Sequence, residues 1–264
     1  MPQSTDTLNV AIIDDHILSV TLDRPEASNA FNTQMACDLI SLFEELAVAP
    51  DDLRVVVITG AGDRAFCAGG DLKERNGMTD REWFAQHLVY ERMVRAVVGC
   101  PLPLIGAING AAYGGGCELA AALDFIYVSE TARFAQTETK LGIIPGAGGT
   151  QNLARAVGEK RAMELILSGA VFSAEDAVAW GLANAICKPD ELIDATLRAA
   201  RAIADNAPIA VRQAKQAIHK GLQMGLQDGM AFEIEAYNRT VSTADRREGV
   251  LAFNEKRKAI FKGE

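Results

Sequence analysis

The sequence predicts an α/β protein, because segments typical of buried strands alternate with segments typical of helices over most of its length. Residues 53–59 (LRVVVIT) and 104–108 (LIGAI) are nearly continuous apolar runs. Such runs are typical of strands buried on both faces of a parallel or mixed sheet. At 264 residues, the chain is long enough for one large domain, or for one domain with a small appendage.

The N-terminal segment predicts a β-hairpin. Residues 10–13 and 17–22 have strand patterns and are joined by the polar turn Asp14-Asp15-His16. Pro25 ends the pattern, because proline cannot continue a hydrogen-bonded ladder. Thr33 is then predicted to cap an amphipathic helix that extends to about Ala47.

The next part of the chain is predicted to alternate between strands, loops and helices. A glycine-rich loop is expected over residues 60–71, and a helix over residues 79–98 that ends at Gly99. Residues 125–129 read as another strand. An irregular loop over residues 134–149 is expected to precede a short helix.

The remainder of the chain, from residue 159, is predicted to be mostly helical. Residues 173–176 fit a capping box, and Gly181 ends the helix that follows it. Further helices are expected over residues 190–205, 208–220, 226–241 and 244–262. They contain no cluster of catalytic residue types. We therefore expect a sheet-containing unit over residues 1–205 and a helical region over residues 206–264 that packs on it or on a neighbouring subunit.

The charge balance argues against nucleic acid and anionic membranes as partners. The chain has 26 Lys and Arg residues against 35 Asp and Glu residues, for a net charge of −9. Broad binding to either partner requires clustered basic residues. No apolar run approaches the length of a membrane span, and the first nine residues are polar, so a cytoplasmic protein is expected.

The cysteine and histidine patterns argue against a metal site. The five cysteines are scattered, and neither they nor the three histidines have metal-ligand spacing. The histidines, at positions 16, 87 and 219, all lie outside the glycine-rich loops, so each is expected on the surface or satisfied within the core. Because no histidine is suitably placed and no G-x-S-x-G motif is present, a Ser–His–Asp hydrolase is not expected.

Three consecutive glycines mark the first candidate site. Gly114, Gly115 and Gly116 follow an apolar strand, and a helix with Glu118 in its first turn follows them. Glycine allows backbone N–H groups to be exposed, and a helix N-terminus favours negative charge on a ligand. The same residues also fit a plain glycine turn followed by an acid that complements the helix dipole.

A second glycine-rich loop and a second carboxylate could complete this site. Gly70 follows a different strand and could supply another free backbone N–H next to that of Gly115. Two such donors can stabilise an oxyanion. Glu138 follows the strand after Glu118, and two carboxylates beside one substrate carbon suit general acid–base catalysis.

These motifs together resemble those of the enoyl-CoA hydratase/isomerase (crotonase) superfamily, over nearly the whole chain. The resemblance rests on Arg24-Pro25 with Asn29-Ala30, AFCAGGDLKE at 65–74, INGAAYGGGCEL at 108–119, ETKLGIIPG at 138–146 with GGTQ at 148–151, and DRREG at 245–249 with FNEKR at 253–257. It implies a crotonase-like ββα spiral with a helical C-terminal region that mediates trimerisation, commonly as a hexamer formed by two trimers.

The resemblance also assigns roles to individual residues. It implies that Gly70 and Gly115 are the oxyanion donors and that Glu118 and Glu138 are the catalytic glutamates. It further implies that an acyl-CoA thioester is bound near Ser28, Ala68, Gly70, Asp71, Leu72, Lys73 and Gly115. Phe253 and Lys256 match a C-terminal region that often reaches CoA. No metal or redox cofactor is implied, since coenzyme A is part of the substrate.

The presence of both glutamates favours an enoyl-CoA hydratase, because family members with only the second one tend to be isomerases or to run other chemistry. A methylglutaconyl-CoA hydratase and a Δ3,Δ2-enoyl-CoA isomerase remain alternatives within the family. Outside it, residues 60–65 (GAGDRA) fit a dinucleotide fingerprint and suggest a nicotinamide oxidoreductase, although the motif must open a helix. A non-catalytic oligomeric scaffold is the third alternative.

Overall fold

The computed structural model describes residues 2–264 as an α/β fold with two sheets. The strands are β1 (Leu8–Asp14), β2 (Ile17–Leu22), β3 (Val55–Gly60), β4 (Ala65–Cys67), β5 (Leu104–Ile108), β6 (Ala111–Tyr113), β7 (Phe125–Ser129), β8 (Arg133–Ala135), β9 (Phe172–Ser173) and β10 (Ala185–Cys187). The helices are α1 (Thr33–Val48), α2 (Leu72–Arg75), α3 (Asp80–Gly99), α4 (Gly115–Ala122), α5 (Gly149–Val157), α6 (Glu159–Ser168), α7 (Ala174–Ala179), α8 (Leu192–Ala204), α9 (Pro208–Gly221), α10 (Leu226–Val241) and α11 (Ala244–Glu255).

The two sheets are built from successive strand pairs along the chain. The six-stranded sheet has the order β1-β2-β3-β5-β7-β10, and the four-stranded sheet has the order β4-β6-β8-β9. Strands β3, β5 and β7 each enter the first sheet, and the strand that follows each of them enters the second. Strands β3, β5 and β7 pair in parallel in the first sheet, and β4, β6 and β8 pair in parallel in the second. The chain therefore advances as a repeated two-strand unit, and the loops between paired strands fall along one edge.

The apolar strands are buried on both faces, as their continuous patterns predict. Val56 and Ile58 of β3 face the main core, which α1, α3 and α4 cover. Val55 and Val57 face a second core, which α8 covers with Leu192, Ala200 and Ala204. Alternate residues of β3 thus serve two cores, and this explains why the strand lacks the alternation of a half-exposed strand.

The first predicted helix cap was wrong by one residue. Asn32, not Thr33, is the N-cap of α1, and its side-chain oxygen accepts a hydrogen bond from the Met35 amide at 2.8 Å. Thr33 is the first helical residue, and its hydroxyl accepts a hydrogen bond from Gln86 of α3. Asparagine is at least as good an N-cap as threonine, so the sequence was compatible with either residue.

Two predicted loops contain regular structure. The loop over residues 60–71 contains β4, and that over residues 134–149 contains most of β8 and a short 3-10 helix, Glu138–Leu141. These strands are only three residues long, too short for a clear periodic pattern. Their parallel pairing with β6 holds both loops in place.

The last helix ends at Glu255, earlier than the predicted residue 262. Lys256 adopts a left-handed conformation with φ of 57° and ends α11. The chain then turns back, and the amides of Lys262 and Gly263 donate hydrogen bonds to the buried carboxylate of Asp245. This tertiary contact at the start of α11 was not visible in the local sequence.

The C-terminal helices leave much apolar surface exposed. Helices α9 and α10 pack mainly on each other, and none of the α9 residues is buried. The exposed apolar side chains of α9, α10 and the turn between them include Ile218, Leu222, Leu226, Met230, Ile234 and Tyr237. Lys215 and His219 of α9 reach the main body through the carboxylate of Asp124, at 2.7 and 2.8 Å. Over residues 2–264, no helix is both long and apolar enough to cross a bilayer.

Replacing Asn32 with alanine is expected to lower the free energy of unfolding by about 1 kcal/mol, because the Met35 amide loses its acceptor. Asn32→Asp keeps an oxygen at the cap and should retain most of the stability. Urea unfolding of the three proteins at one concentration measures the difference. Equal losses in both variants would show that the cap is not the source of the effect.

Candidate active site

One cavity collects both predicted glutamates and both predicted glycine donors. It has a volume of about 410 Å³ and lies between α3, the start of α4 and the segment that precedes α5. Gly70, Gly115, Glu118 and Glu138 all line it. A larger hollow of about 1380 Å³ lies beneath α9 and contains none of these four residues. The smaller cavity is therefore the candidate active site.

The Gly115 amide has no acceptor among the described residues, because it lies at the start of a helix. The first N–H groups of a helix have no acceptor within it, and the helix dipole places partial positive charge there. Gly114 precedes the helix with φ of 52° and ψ of −124°, which side chains rarely tolerate. A Cβ on Gly114 would also lie 3.1 Å from Oε1 of Glu138. Glycine at position 114 therefore keeps the loop and Glu138 close together.

The Gly70 amide is left free by the bridge that holds its loop. Phe31 forms a parallel bridge with Gly70, in which the Phe31 amide donates to Gly69 and the Asp71 amide donates to Phe31. That pattern uses the groups on either side of Gly70 and leaves its own N–H without an acceptor in the part of the chain that is described. The two glycine loops touch, since a Cβ on Gly69 would lie 3.0 Å from the Gly115 nitrogen.

Glu118 is buried and held by the loop before α5. The residue is only 3% exposed to solvent. Its Oε1 accepts hydrogen bonds from the amides of Ala147 at 2.8 Å and Gly149 at 2.7 Å. Burial raises the pKa of Glu118 to about 7, and the charge of Glu138 acts in the same direction, whereas the backbone amides oppose both. Glu118 can therefore exist in either protonation state near neutral pH.

Glu138 lies in the first turn of the short 3-10 helix, where the chain leaves β8. Burial raises the pKa of its carboxyl group. Its Oε2 is buried and has no hydrogen-bond partner within residues 2–264. A buried oxygen without a partner is costly, so this atom is suited to contact with a ligand.

The other predicted substrate-binding residues lie along the loops that lead to the cavity. Ala68 and Leu72 line it, and Lys73 is exposed in α2. Ser28 lies beside this loop, because the Ala68 amide donates to its carbonyl at 3.0 Å. Asp71, the remaining predicted substrate-binding residue, is bound to other groups of the protein.

The Asp71 carboxylate is occupied within the protein. It pairs with Arg24 at 2.9 Å and accepts hydrogen bonds from the amides of Lys73 and Glu74 as the N-cap of α2. The Arg24 side chain also donates to the Ala30 carbonyl. Asp71 thus connects the Ser28 loop to α2, and its pKa is held below the ordinary value by these contacts despite partial burial.

Sequence reasoning assigned no role to several polar and aromatic residues of the cavity wall. Arg75, Trp83, His87 and Tyr90 all line it. His87 was expected on the surface or in the core, and its partly exposed ring lies against Gly146 on the cavity wall. The i, i+3 and i+4 spacing within α3 could have placed residues 83, 87 and 90 on one face.

Phe253 and Lys256 do not line the cavity. Phe253 is 83% exposed on α11, and Lys256 lies at the end of that helix. The dinucleotide fingerprint at residues 60–65 also lacks its required context, because it leads into β4 rather than a helix. This geometry contradicts the nicotinamide oxidoreductase alternative.

Comparison with known proteins gives a consistent set of relatives. The sequence profile of the enoyl-CoA hydratase/isomerase family matches residues 13–264. YngF of Bacillus subtilis is 42% identical over 98% of this chain and 99% of its own. The mitochondrial enoyl-CoA hydratase of Pongo abelii is 40% identical over 92% of this chain and 82% of its own. The crystal structure of an enoyl-CoA hydratase from Bacillus anthracis has a TM-score of 0.96 at 40% identity, and the match covers 98% of this chain and 100% of that one.

Raising the pH is expected to destabilise the wild type relative to Glu118→Gln. The Glu118 pKa is about 7 in the folded chain, against an ordinary value of 4.5. Between these values the folded chain holds a proton that the unfolded chain lacks, so stability falls as pH rises. Glutamine cannot ionise and keeps an acceptor for the two amides. The stability difference between the two proteins should shift by about 1 to 3 kcal/mol from about pH 5 to about pH 8.

Urea unfolding at the two pH values measures this shift. Glu159→Gln is the control, because Glu159 is exposed at the start of α6 and its carboxylate lies away from the cavity. A difference between wild type and Glu118→Gln that stays constant with pH would contradict a buried, proton-binding Glu118.

Proposed function

The chain belongs to the enoyl-CoA hydratase/isomerase family, and from that premise we propose that it is an enoyl-CoA hydratase, a hydro-lyase that adds water across the α,β double bond of a trans-2-enoyl-CoA thioester. One observation supports this most strongly. Within residues 2–264, two backbone amides without acceptors and two buried carboxyl groups line the same cavity. This set of groups matches the charges that develop during hydration of an enoyl thioester.

The amides of Gly70 and Gly115 form the oxyanion hole. When water adds to Cβ, negative charge moves through Cα to the thioester oxygen, and two fixed N–H groups stabilise it there. A donor of this type contributes about 2.7 to 4 kcal/mol to transition-state stabilisation. Because the donors belong to the backbone, side-chain flexibility does not weaken them. Their positions depend on the glycine loops that carry them.

Each of the two glutamates carries out one of the two proton transfers. Glu118, as carboxylate, takes a proton from water while the oxygen of that water bonds to Cβ. Glu138, as carboxylic acid, delivers its proton to Cα, and the enolate electron pair forms the new C–H bond. Exchange with solvent then restores both starting states. The raised pKa values of both groups support this assignment, since each must hold or release a proton near neutral pH.

The thioester substrate binds through its CoA portion along the loops around Ser28, Ala68, Leu72 and Lys73. These residues are exposed or half-buried and lead to Gly70. The proposed reaction assigns every bond change to protein groups and water, so it uses no separate cofactor. A cytoplasmic location is supported by the five cysteines, all of which are unpaired.

The C-terminal region, residues 206–264, is proposed to form a homotrimer or a hexamer of two trimers. Its exposed apolar side chains support this, because patches of this kind are typical of protein interfaces. In this arrangement, α9 and α10 pack against a neighbouring copy. The ion pair of Asp124 with Lys215 and its hydrogen bond with His219 hold α9 against the body of its own subunit.

Glu118→Gln and Glu138→Gln are each expected to lower kcat for crotonyl-CoA hydration by about 10²- to 10⁴-fold, because each removes a proton acceptor or donor. The loss of enoyl-thioester absorbance measures the rate. Glu44→Gln, at an exposed position of α1, is the control and should match the wild type. Unchanged rates in both cavity variants would disprove the paired-glutamate mechanism. A defect confined to Glu138→Gln and to double-bond migration would identify an isomerase.

Light scattering is expected to give the mass of three or six 28.2 kDa chains. The physical reason is the exposed apolar surface of α9 and α10, which one chain cannot cover. A single-chain mass at micromolar concentration would contradict the assembly and leave the hydratase activity to be judged by its own assay.

A further inference from the structure

The short 3-10 helix that carries Glu138 is attached to the end of α6 by two side chains. Thr139 and Lys140 follow Glu138 directly within this helix. The Thr139 hydroxyl donates a hydrogen bond to the Ile166 carbonyl at 2.9 Å, and the Lys140 ammonium donates one to the Gly169 carbonyl at 2.6 Å. The two residues next to a catalytic glutamate therefore both bind the same helix end.

The two acceptors lie where α6 leaves backbone carbonyls unused. Ile166 supplies one of the last four carbonyls of α6, which have no partner inside the helix, and Gly169 is the C-cap with φ of 60°. The helix dipole also places partial negative charge at this end, where a lysine ammonium is favoured. Thr139 and Lys140 therefore satisfy the end of α6 from a neighbouring element.

The stem of Lys140 is fixed as well as its charge. A Cβ on Gly169 would lie 2.7 Å from Cε and 3.1 Å from Cδ of Lys140, so the stem passes directly over the glycine. The left-handed conformation of Gly169 is itself one that other residues rarely adopt. Lys140 is an exposed residue, but its side chain follows one defined path across the end of α6.

The start of the same helical pair holds the other glutamate. Oε1 of Glu118 accepts a hydrogen bond at 2.7 Å from the amide of Gly149, the first residue of α5. Helices α5 and α6 pack on each other and are separated by a single residue. Leu153 of α5 and Leu165 of α6 are both buried in the main core. The α5–α6 pair thus contacts Glu118 at its start and the segment of Glu138 at its end.

The carboxyl group of Glu138 depends on this attachment of its backbone. Strand β8 ends three residues earlier, at Ala135, whose carbonyl accepts a hydrogen bond from the Gly114 amide at 2.8 Å. Oε2 of Glu138 has no hydrogen-bond partner within residues 2–264. The place of this atom in the cavity is therefore set by where the 3-10 helix is held, with β8 on one side and α6 on the other.

We propose that Lys140 and Thr139 are positioning residues for Glu138, through which the α5–α6 pair sets the separation between the two catalytic carboxyl groups. This inference rests on the proposed function, since it concerns the acid that protonates Cα. Both side chains lie outside the cavity wall, so they act through the backbone of Glu138. Because a misplacement of about 1 Å can slow a reaction by about 10²-fold, losing the Lys140 contact is expected to slow proton transfer at Cα by about 10- to 100-fold.

Exchange of the α-protons of butyryl-CoA with deuterated water isolates the step that Glu138 performs. Glu138, as carboxylate, takes a proton from Cα, and the electron pair of that C–H bond passes into the enolate, which the Gly70 and Gly115 amides stabilise. Glu138 exchanges its proton with solvent and returns a deuteron, which forms the new bond to Cα. Butyryl-CoA has no double bond to hydrate, so Glu118 transfers no proton. Proton NMR measures the exchange rate.

Lys140→Met is expected to lower this exchange rate and kcat for crotonyl-CoA hydration by the same factor, about 10- to 100-fold. Methionine keeps an apolar stem over Gly169 and removes the donor, so KM should change by less than about threefold. Lys140→Arg keeps a charged donor and should restore most of both rates. Lys160→Met, at an exposed position near the start of α6, is the matched control and should behave as the wild type.

A purely structural role of Lys140 would give a different result. Wild-type exchange and hydration rates in Lys140→Met, together with a lower urea midpoint, would show that Lys140 only caps α6 and would overturn the proposal. A parallel weakening of butyryl-CoA binding would also overturn it, because it indicates a distorted cavity. Thr139→Val removes one hydroxyl and should lower the exchange rate by a smaller factor, with Thr139→Ser close to the wild type. If Lys140→Met does not fold, an unchanged rate in Thr139→Val overturns the proposal.

Wild-type activity separates this inference from the proposed function. If the wild type hydrates crotonyl-CoA and Lys140→Met does so equally well, the hydratase stands and the positioning role is wrong. If the wild type catalyses neither hydration nor exchange, the hydratase assignment is wrong, and a crystal structure of Lys140→Met decides the inference. A Glu138 carboxyl group displaced by about 1 Å or more supports the positioning role, and an unmoved one overturns it.

Discussion

The site depends on the close packing of the start of α4 against the loop that follows β4. A Cβ on Gly116 would overlap the carbonyl of Cys67, so only glycine allows this approach. The approach brings the loops of Gly70 and Gly115 into contact and places Glu118 in the same turn. The parallel pairing of β4 with β6 and of β6 with β8 fixes the three loops in one row. The fold thus supplies the oxyanion donors through backbone geometry.

Burial gives this site its chemical properties. The apolar wall that excludes water from Glu118 and Glu138 also raises their pKa values, and it strengthens hydrogen bonds from the two glycine amides to a bound oxyanion. Proton transfer and oxyanion stabilisation therefore share one physical cause, the low polarity of the cavity.

The sequence predicted the strands and the glycine loops well because their signals are local. The apolar runs of β3 and β5 and the three glycines before α4 needed no tertiary information. The paired positions of Gly70 with Gly115 could be inferred because successive parallel strands end at one edge of a sheet. Arg75 was missed as a residue of the cavity wall because it meets Trp83, Gln86 and Tyr90 only through packing. The predicted end of α11 was wrong because the chain turns back after Lys256, and the amides of Lys262 and Gly263 donate hydrogen bonds to Asp245.

The central claim is that the Gly70 and Gly115 amides bind the thioester oxygen between the two glutamates. A crystal structure with a bound 3-hydroxyacyl-CoA tests it most directly. The thioester oxygen is expected about 2.7 to 3.1 Å from both amide nitrogens, with the hydroxyl group of the ligand within hydrogen-bond reach of Glu118 or Glu138. A thioester oxygen bound away from these amides, or a hydroxyl far from both carboxyl groups, would contradict the account.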